Sequence, residues 1–217
     1  PDRRRGRGTV AALAAEEVAR GWGCGHIEIE VPADATAGLR MATALGYVPR
    51  NRRMRKHLGT TPPRLPEGSR ARPMTEAEYE VWLADSKEHY AQSWMDRGVP
   101  AEEAQAKSRR DYAQLLPQGP ATQNMLLSVL EHEGTPVGTL WLALREEQAF
   151  VYYVTADERF RGRGHGRSLM LLAEIQAAAE GKRLLGLNVF AGNTPAERLY
   201  ESLGYETTEY FFYKNLV

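Results

Sequence analysis

The sequence predicts an α/β (α+β) fold with a mixed sheet, in which a complete domain follows a half-domain of the same kind. Three observations lead there. Strand-like runs and helical patterns intermingle in an order that suits a mixed sheet. A glycine-rich segment, Arg161-Gly162-Arg163-Gly164-His165-Gly166, joins the apolar run Ala149–Thr155 to a helical pattern. The opening Arg3-Arg4-Arg5-Gly6-Arg7-Gly8 repeats that device. One ungapped offset of 158 residues sets Gly6 on Gly164, Gly8 on Gly166, Leu13 on Leu171, Glu16 on Glu174, Gly23 on Gly181 and Val31 on Val189. It also sets Thr36 on Thr194, Arg40 on Arg198, Leu45-Gly46-Tyr47 on Leu203-Gly204-Tyr205, Lys56 on Lys214 and Leu58 on Leu216. A repeat this long reads as two homologous domains in tandem rather than a solenoid.

Residues 1–58 form the first unit. An alanine-rich helix spans about residues 9–20, with Val10, Leu13 and Val18 on its apolar side and Gly21 and Gly23 at its end. His26–Val31 alternates as a strand. A helix over Thr36–Leu45 stops at Gly46, and an arginine-rich strand closes the unit. Residues 59–72 hold Pro62, Pro63 and Pro66 among Gly, Ser, Thr and Arg, and read as a linker.

Residues 73–217 are then a self-sufficient domain. Thr75 and Glu78 have capping-box spacing at the head of a helix over Glu76–Ser86. A second helix covers Pro100–Leu115. Strands are predicted over Met125–His132, Pro136–Leu144 and Ala149–Ala156, the first two joined by a turn at Glu133-Gly134. After the glycine loop, a helix over Gly166–Glu180 sets Leu169, Leu172 and Ala173 on one face. Leu184–Phe190 is a strand. Thr194-Pro195-Ala196-Glu197 opens the last helix, with Thr194 as N-cap and Glu197 as the returning partner, and Gly204 ends it. Tyr210–Leu216 is the closing strand.

The bulk numbers set limits on function. The 217 residues are 42% hydrophobic and 26% charged, an ordinary globular composition. A net charge of zero gives no global field toward nucleic acid. The balance is uneven: residues 1–72 carry 14 Lys and Arg against 7 Asp and Glu, and the remainder 14 against 21. The single cysteine, Cys24, excludes an internal disulfide and reads as a packed thiol beside Trp22 and Gly23. No apolar run approaches the roughly 20 residues that span a bilayer, and no signal peptide is visible. A reducing, cytoplasmic setting with no membrane partner is the default. No bound metal is expected.

A glycine-rich turn between a strand and a helix points backbone N–H groups outward. Together with the positive end of the helix dipole they suit a phosphate or pyrophosphate. Arg161, Arg163 and Arg167 add full charge around them.

Three features taken together resemble the GNAT superfamily of N-acetyltransferases. They are Arg161-x-x-Gly164-x-Gly166 at the strand-to-helix junction, Asn193-x-x-Ala196-x-x-Leu199-Tyr200-x-x-x-Gly204-Tyr205 on the next strand–helix unit, and the order of the two blocks at the end of a domain with strands before them. The likeness covers residues 73–217, and residues 1–58 resemble only the second half of the fold. It implies a mixed, mostly antiparallel sheet flanked by helices. It also implies transfer of an acetyl group from acetyl-CoA to a primary amine by direct attack on the thioester. The pyrophosphate would sit on Arg161, Gly162, Arg163, Gly164, His165 and Gly166, with Arg167 at the edge and His165 contributing its backbone. Pantetheine would lie along Val154, Thr155 and Ala156, where the strands Ala149–Ala156 and Leu184–Phe190 splay apart. An N–H near Val154 would face the oxyanion. Tyr200 matches the family tyrosine that protonates the departing thiolate, and Asn193 matches a position that contacts the cofactor.

The general base stays open among Glu131, Glu146, Glu147, Asp157, Glu158, Tyr152, Tyr153 and an ordered water; Glu131 also suits a surface role. Tyr90, Trp94, Met95 and Tyr112, with residues 210–213, are the expected surroundings of a small-molecule or peptide amine, alongside core packing. The first unit departs from the pattern. Ala42 stands at the place of Tyr200, Ala35 at that of Asn193 and Ala37 at that of Pro195, and Gly38 weakens the helix start. It reads as a degenerate remnant, or the tail of a truncated domain, that packs on the complete domain or on another protomer of a homodimer. A catalytically silent acyl-CoA-binding regulatory module is the alternative. A nucleic-acid patch on Arg3–Arg7 and Arg50–Lys56 is set aside, because the first run is already accounted for as a phosphate loop.

Overall fold

In the computed structural model, which describes residues 6–216, the chain runs through α1 (Arg7–Gly21), β1 (His26–Pro32), α2 (Thr36–Ala44), β2 (Val48–His57), β3 (Ser69–Pro73), α3 (Glu76–Met95), α4 (Ala101–Leu115), β4 (Met125–His132), β5 (Thr135–Leu144), β6 (Ala149–Ala156), α5 (His165–Ala179), β7 (Leu184–Phe190), α6 (Thr194–Ser202) and β8 (Glu206–Asn215). It divides into two compact units. One holds Pro1–Met54, Asn188–Glu197 and Glu206–Val217; the other holds Arg55–Leu187 and Arg198–Tyr205. The arginines expected in the first phosphate loop, Arg3, Arg4 and Arg5, lie outside the described residues.

The unit that begins at Arg55 is built on strands in the order β7-β6-β5-β4-β3. Pairing is antiparallel from β3 to β6 and parallel between β6 and β7, as expected for a mixed, mostly antiparallel sheet. Strand alternation gives the sheet two different faces. Leu127, Val129 and Trp141 meet Tyr79, Trp82 and Tyr112 of α3 and α4 in one aromatic cluster. Their neighbours face α5: Gln176 Nε2 donates to Ser128 Oγ at 2.8 Å. A Cβ on Gly138 would come within 2.8 Å of Leu169 Cδ1. An isolated glycine within a strand marks such a close approach.

Helix α3 opens with the reciprocal cap read from its spacing. Thr75 Oγ1 accepts the Glu78 N–H at 3.3 Å, and Glu78 Oε2 accepts the Thr75 N–H at 2.9 Å. The helix continues to Met95, well past Ser86, because small buried residues let α4 approach it. Ser86, Ala91, Ala104 and Ser108 are all buried, and Ser108 Oγ donates to the Lys87 carbonyl at 2.8 Å.

The segment expected to be linker is not uniformly one. Residues 69–73 form the edge strand β3, in register Ser69↔His132 to Pro73↔Ser128. Arg70 and Arg72 project toward Glu131 at 2.6 and 2.7 Å, and Arg72 also holds Glu78. Pairing of the exposed Arg70 and half-buried Arg72 with the buried Glu131 ties this strand to β4, although composition alone marked it as loop. Residues 58–63 do not form a strand or helix; Leu58, Gly59, Thr61, Pro62 and Pro63, with Lys56, Glu174 and Ala178, line a cavity of about 240 Å³.

In the other unit the strand order is β1-β8-β2, and β1 pairs antiparallel with β8 from His26↔Asn215 to Pro32↔Glu209. Strand β8 therefore starts four residues before the predicted Tyr210. Val31, Ala42, Tyr47 and Phe212 form the core. The arginines of β2 face carboxylates. Arg50 pairs with Glu28, Arg52 with Glu197 and Arg53 with Glu209. Cys24 is exposed rather than packed, because it lies past the C-cap Trp22 in the turn whose N–H returns to the Ala19 carbonyl. No helix among the described residues is long and apolar enough to cross a membrane.

Candidate active site

The site grows out of a fault in β6. Pairing with β5 runs Trp141↔Tyr153 and then Leu142↔Val151, so Tyr152 is an extra residue and β6 carries a β-bulge there. The parallel ladder to β7 covers Ala149↔Leu185, Phe150↔Gly186 and Val151↔Leu187. It ends one residue before the bulge. Past that point β6 keeps β5 on one side, and the edge of Tyr152–Ala156 that faced β7 is released from the ladder. This is the strand separation expected of residues 149–156. The bulge also turns both tyrosines toward the aromatic cluster. Tyr152 stacks on Trp141 at 4.8 Å, and Tyr153 meets Trp82 edge-on at 5.8 Å.

The chain leaves β6 through a short turn. The Asp157 N–H bonds the Val137 carbonyl of β5 at 2.9 Å, and the Asp157 side chain accepts the Arg159 N–H at 2.9 Å. The guanidinium of Arg159 holds Asp157 well below the usual carboxylate range, at about 2. Arg159 is thus tied to its neighbour. Arg161 and Glu158 pair on the open surface, 70% and 79% exposed, a contact easily exchanged for a stronger anion. Arg163 lies over the Phe160 ring.

Gly162 and Gly164 take the left-handed conformation, φ 78° and 84°, which favours glycine. Gly164 is the N-cap of α5, and no side chain caps that helix among the described residues. The first helical bond is Ser168 N–H to the Gly164 carbonyl, so the N–H groups of His165, Gly166 and Arg167 precede it. With the dipole behind them they form an anion cradle. His165 is buried beside His132 and Phe160. Burial, then His132 and Arg163, pushes its imidazole down, so it meets neutral pH uncharged and offers its backbone. Arg167 donates to Ser202 Oγ at 2.6 Å, and its guanidinium braces α6.

Gly166 has a second use. Its missing Cβ would stand 3.3 Å from Leu199 Cδ2, which brings this part of α6 onto the head of α5. Tyr200 follows Leu199. It is buried, packs on Tyr205 at 6.1 Å, and burial raises its phenol to about 12. It therefore stays protonated at neutral pH, as a proton donor must.

Other expected residues have engagements of their own. Asn193 belongs to the unit that also holds Pro1–Met54. Its Oδ1 accepts the Ala196 N–H at 3.3 Å, so Asn193 and not Thr194 caps α6. Glu131 is buried and engaged by two arginines that hold its carboxyl low; it has no free oxygen with which to serve as a base. Tyr112 is core. Tyr90 donates to Asp111 at 2.9 Å and meets Trp94 edge-on. Gly138 and the bulge at Tyr152 went unread in the sequence. A lone glycine between Val137 and Thr139 was the one available signal. No group of three or more His, Cys, Asp or Glu placed to hold a metal occurs among the described residues.

Comparison with known proteins gives this geometry a context. An uncharacterised N-acetyltransferase of Bacillus subtilis (strain 168), YycN, is 33% identical over 150 residues, covering 66% of this chain and 96% of that protein. A mycothiol acetyltransferase of Thermobispora bispora is 31% identical over 218 residues, covering 93% of this chain and 68% of that protein. The crystal structure of a GCN5-related N-acetyltransferase from Sphaerobacter thermophilus superposes with a TM-score of 0.65 at 23% identity, over 99% of this chain and 69% of that one. Residues 76–205, which contain the bulged strand, the loop and Tyr200, match the model of the acetyltransferase (GNAT) family, and the chain belongs to that family.

Proposed function

We propose that the chain transfers an acetyl group from acetyl-CoA to a primary amine by direct attack on the thioester. One observation carries this reading: the ladder between β6 and β7 stops at Val151↔Leu187, directly upstream of an uncapped helix head ringed by Arg161 and Arg163. That juxtaposition suits a long ligand with an extended amide arm and a diphosphate at one end. The arm would bond the backbone of Val154, Thr155 and Ala156. The diphosphate would take the N–H groups from Gly162 to Gly166, with Arg161 released from Glu158.

The neutral amine nitrogen bonds to the thioester carbon, the carbonyl electrons move to oxygen, and an N–H donor on the open edge near Val154 stabilises that charge. The carbonyl re-forms as the C–S bond breaks, the thiolate takes the proton of Tyr200, and the proton lost by the new amide nitrogen passes through solvent water to restore the Tyr200 phenol. Tyr200 supports this role by being buried, protonated and next in sequence to Leu199, which meets the head of α5. Asn193 Oδ1 caps α6, which leaves its Nδ2 as the donor for a cofactor contact. The test is release of free thiol from acetyl-CoA in the presence of mixed primary amines. Release above the amine-free rate supports transfer; none with any amine class counts against it.

A second reading applies to residues 1–58 alone, as a catalytically silent copy of the same unit. Two buried triads support the duplication. In one unit Glu16 accepts Lys214 Nζ at 2.7 Å and the Tyr47 phenol. In the other, Glu174 accepts Lys56 Nζ at 2.7 Å, and Tyr205 OH lies 3.4 Å away. All three pairs of residues match at the offset of 158. Gly6, the N-cap of α1, is left-handed (φ 70°) as Gly164 is. Ala42, fully buried, fills the place of Tyr200, so that unit holds no acid. Val10, Leu13 and Val18 are exposed on α1, whereas α5 buries Leu169, Leu172 and Ala173.

A further inference from the structure

Arg145 opens the turn between β5 and β6, and its guanidinium is fixed in place. Its Nη2 donates to the Tyr152 phenol oxygen at 2.8 Å. Its Cζ lies 4.2 Å from the centre of the Phe150 ring and 5.3 Å from that of Tyr152, and Tyr152 stacks in turn on Trp141. The turn itself is held as well. The Arg145 N–H bonds the Gln148 carbonyl at 2.9 Å, and Lys182 Nζ donates to the Glu146 carbonyl at 3.1 Å. Glu146 and Glu147 follow Arg145 directly, yet the guanidinium lies on the rings and pairs with neither. Among the described residues it meets no carboxylate, although its side chain is exposed. Arg109 and Arg110 of α4 are exposed and unpaired too, but neither is stacked or hydrogen-bonded against β6. Arg159 and Arg161, beside the cofactor loop, have carboxylates of their own.

Tyr152 is the bulge residue, one past the last pair of β6 with β7. Its ring packs with Trp141 on the face of the sheet that carries α3 and α4, whereas α5 covers the other face. The Tyr152 oxygen accepts from Arg145, which leaves the phenol proton to donate elsewhere. A guanidinium and a hydroxyl with donors to spare thus stand together beside the open edge, on the face away from α5.

We propose that Arg145 and Tyr152 anchor a carboxylate of the acceptor, which is an amino acid with several bonds between its amine and its carboxylate. The planar guanidinium suits the two oxygens of a carboxylate, and stacking on Phe150 and Tyr152 orients it in advance. The Tyr152 side chain separates this anchor from the backbone edge where the thioester is read to lie. An amine next to the carboxylate would stop short of that edge, and an amine at the far end of a short chain would reach it. Arg145 acts in binding, and so belongs to specificity rather than to bond making. This site rests on the transferase reading above.

The test offers the full chain 4-aminobutyrate, 6-aminohexanoate, the amide of each, and glycine. Thiol release from acetyl-CoA is followed, and acetyl-CoA affinity is measured in the same preparations. For at least one chain length, wild type should show a KM about fivefold or more lower for the acid than for its amide, and glycine should be poorer than that acid. Arg145→Gln should raise the acid KM about fivefold, toward that of the amide, with the effect on KM larger than that on kcat, as expected for loss of an exposed charge-assisted contact. Arg145→Lys should restore part of the preference. Tyr152→Phe keeps the ring and removes the proton, and should raise the acid KM in the same direction. An Arg145→Gln chain that keeps the wild-type ratio of acid to amide overturns the anchor. A wild-type chain that binds acetyl-CoA but uses none of the probes, prefers the amides or treats both alike overturns the acceptor class, and a preference for glycine overturns the spacing. A chain that binds no acetyl-CoA overturns the transferase reading beneath it.

Discussion

Gly138→Ala isolates the packing that shapes the open edge of β6. The new Cβ would lie 2.5 Å from the Thr155 carbonyl oxygen, 2.8 Å from Leu169 Cδ1 and 3.1 Å from Ala156 Cα. Ordinary contact begins near 3.4 Å, so the methyl overlaps by up to about an ångström. Two of the three atoms are backbone and cannot swing aside. The third belongs to a fully buried leucine. The strain must therefore separate β5 from β6 at Thr155–Ala156 or lift α5 from the sheet. Overpacking of this kind costs about 1–3 kcal/mol, and the rigid neighbours place this substitution at about 3. For a chain of this size that corresponds to a fall of roughly 6–12 °C in melting temperature. Because the displaced residues are those read to bind pantetheine, acetyl-CoA affinity should fall as well. Urea unfolding and titration calorimetry measure the two effects. Gly59→Ala serves as the control, since a Cβ there meets nothing nearer than 4.0 Å. A Gly138→Ala protein within about 0.5 kcal/mol of wild type, with unaltered affinity, would refute the close approach of α5 as the reason for this glycine.

Other expectations follow from the same contacts. Tyr200→Phe should lower kcat by about 10²–10⁴ while acetyl-CoA affinity stays within about twofold; stopped turnover together with lost affinity would make the phenol a binding group instead. Lys56→Met leaves Glu174 as a buried carboxylate without its cation and should destabilise by about 3–5 kcal/mol. Lys214→Met should do less to Glu16, because Arg20 remains 3.6 Å away. Equal urea midpoints for wild type and Lys56→Met would count against that pair. Arg72 holds Glu78 down to about 2 and also lowers Glu131. Both groups are depressed in the folded state, so their contribution is present above the 4.5 of an ordinary glutamate and drains away as pH falls toward 2. Arg72→Ala should flatten the stability profile across that window, and an unchanged acid limb would contradict the assignment.

Much of this was legible in residues whose signals are local. The Thr75–Glu78 cap, the strands Met125–His132, Ala149–Ala156 and Leu184–Phe190, and the left-handed glycines around Arg163 are set by spacing and backbone sterics, and the structure has them where the sequence puts them. Features that depend on a distant partner were not legible. Ser69–Pro73 becomes a strand because Glu131 draws Arg70 and Arg72 to the edge of β4, and the proline-rich approach hid that pairing. Ser86 looked like a helix end because what holds the following turn lies on another helix, where Ser108 donates to the Lys87 carbonyl. The cap of α6 shifted by one residue, since Asn193 and Thr194 are both good caps and only the side-chain geometry separates them. The bulge at Tyr152 is a mismatch between two strands, and no single-strand pattern announces it.

A crystal of the full chain grown with coenzyme A tests the central claim most directly. The expected density places the diphosphate on the backbone N–H groups from Gly162 to Gly166 and the pantetheine arm along Val154–Ala156, with its sulfur beside Tyr200. Coenzyme found elsewhere on the chain, with the turn after Phe160 unchanged and bare, would contradict it.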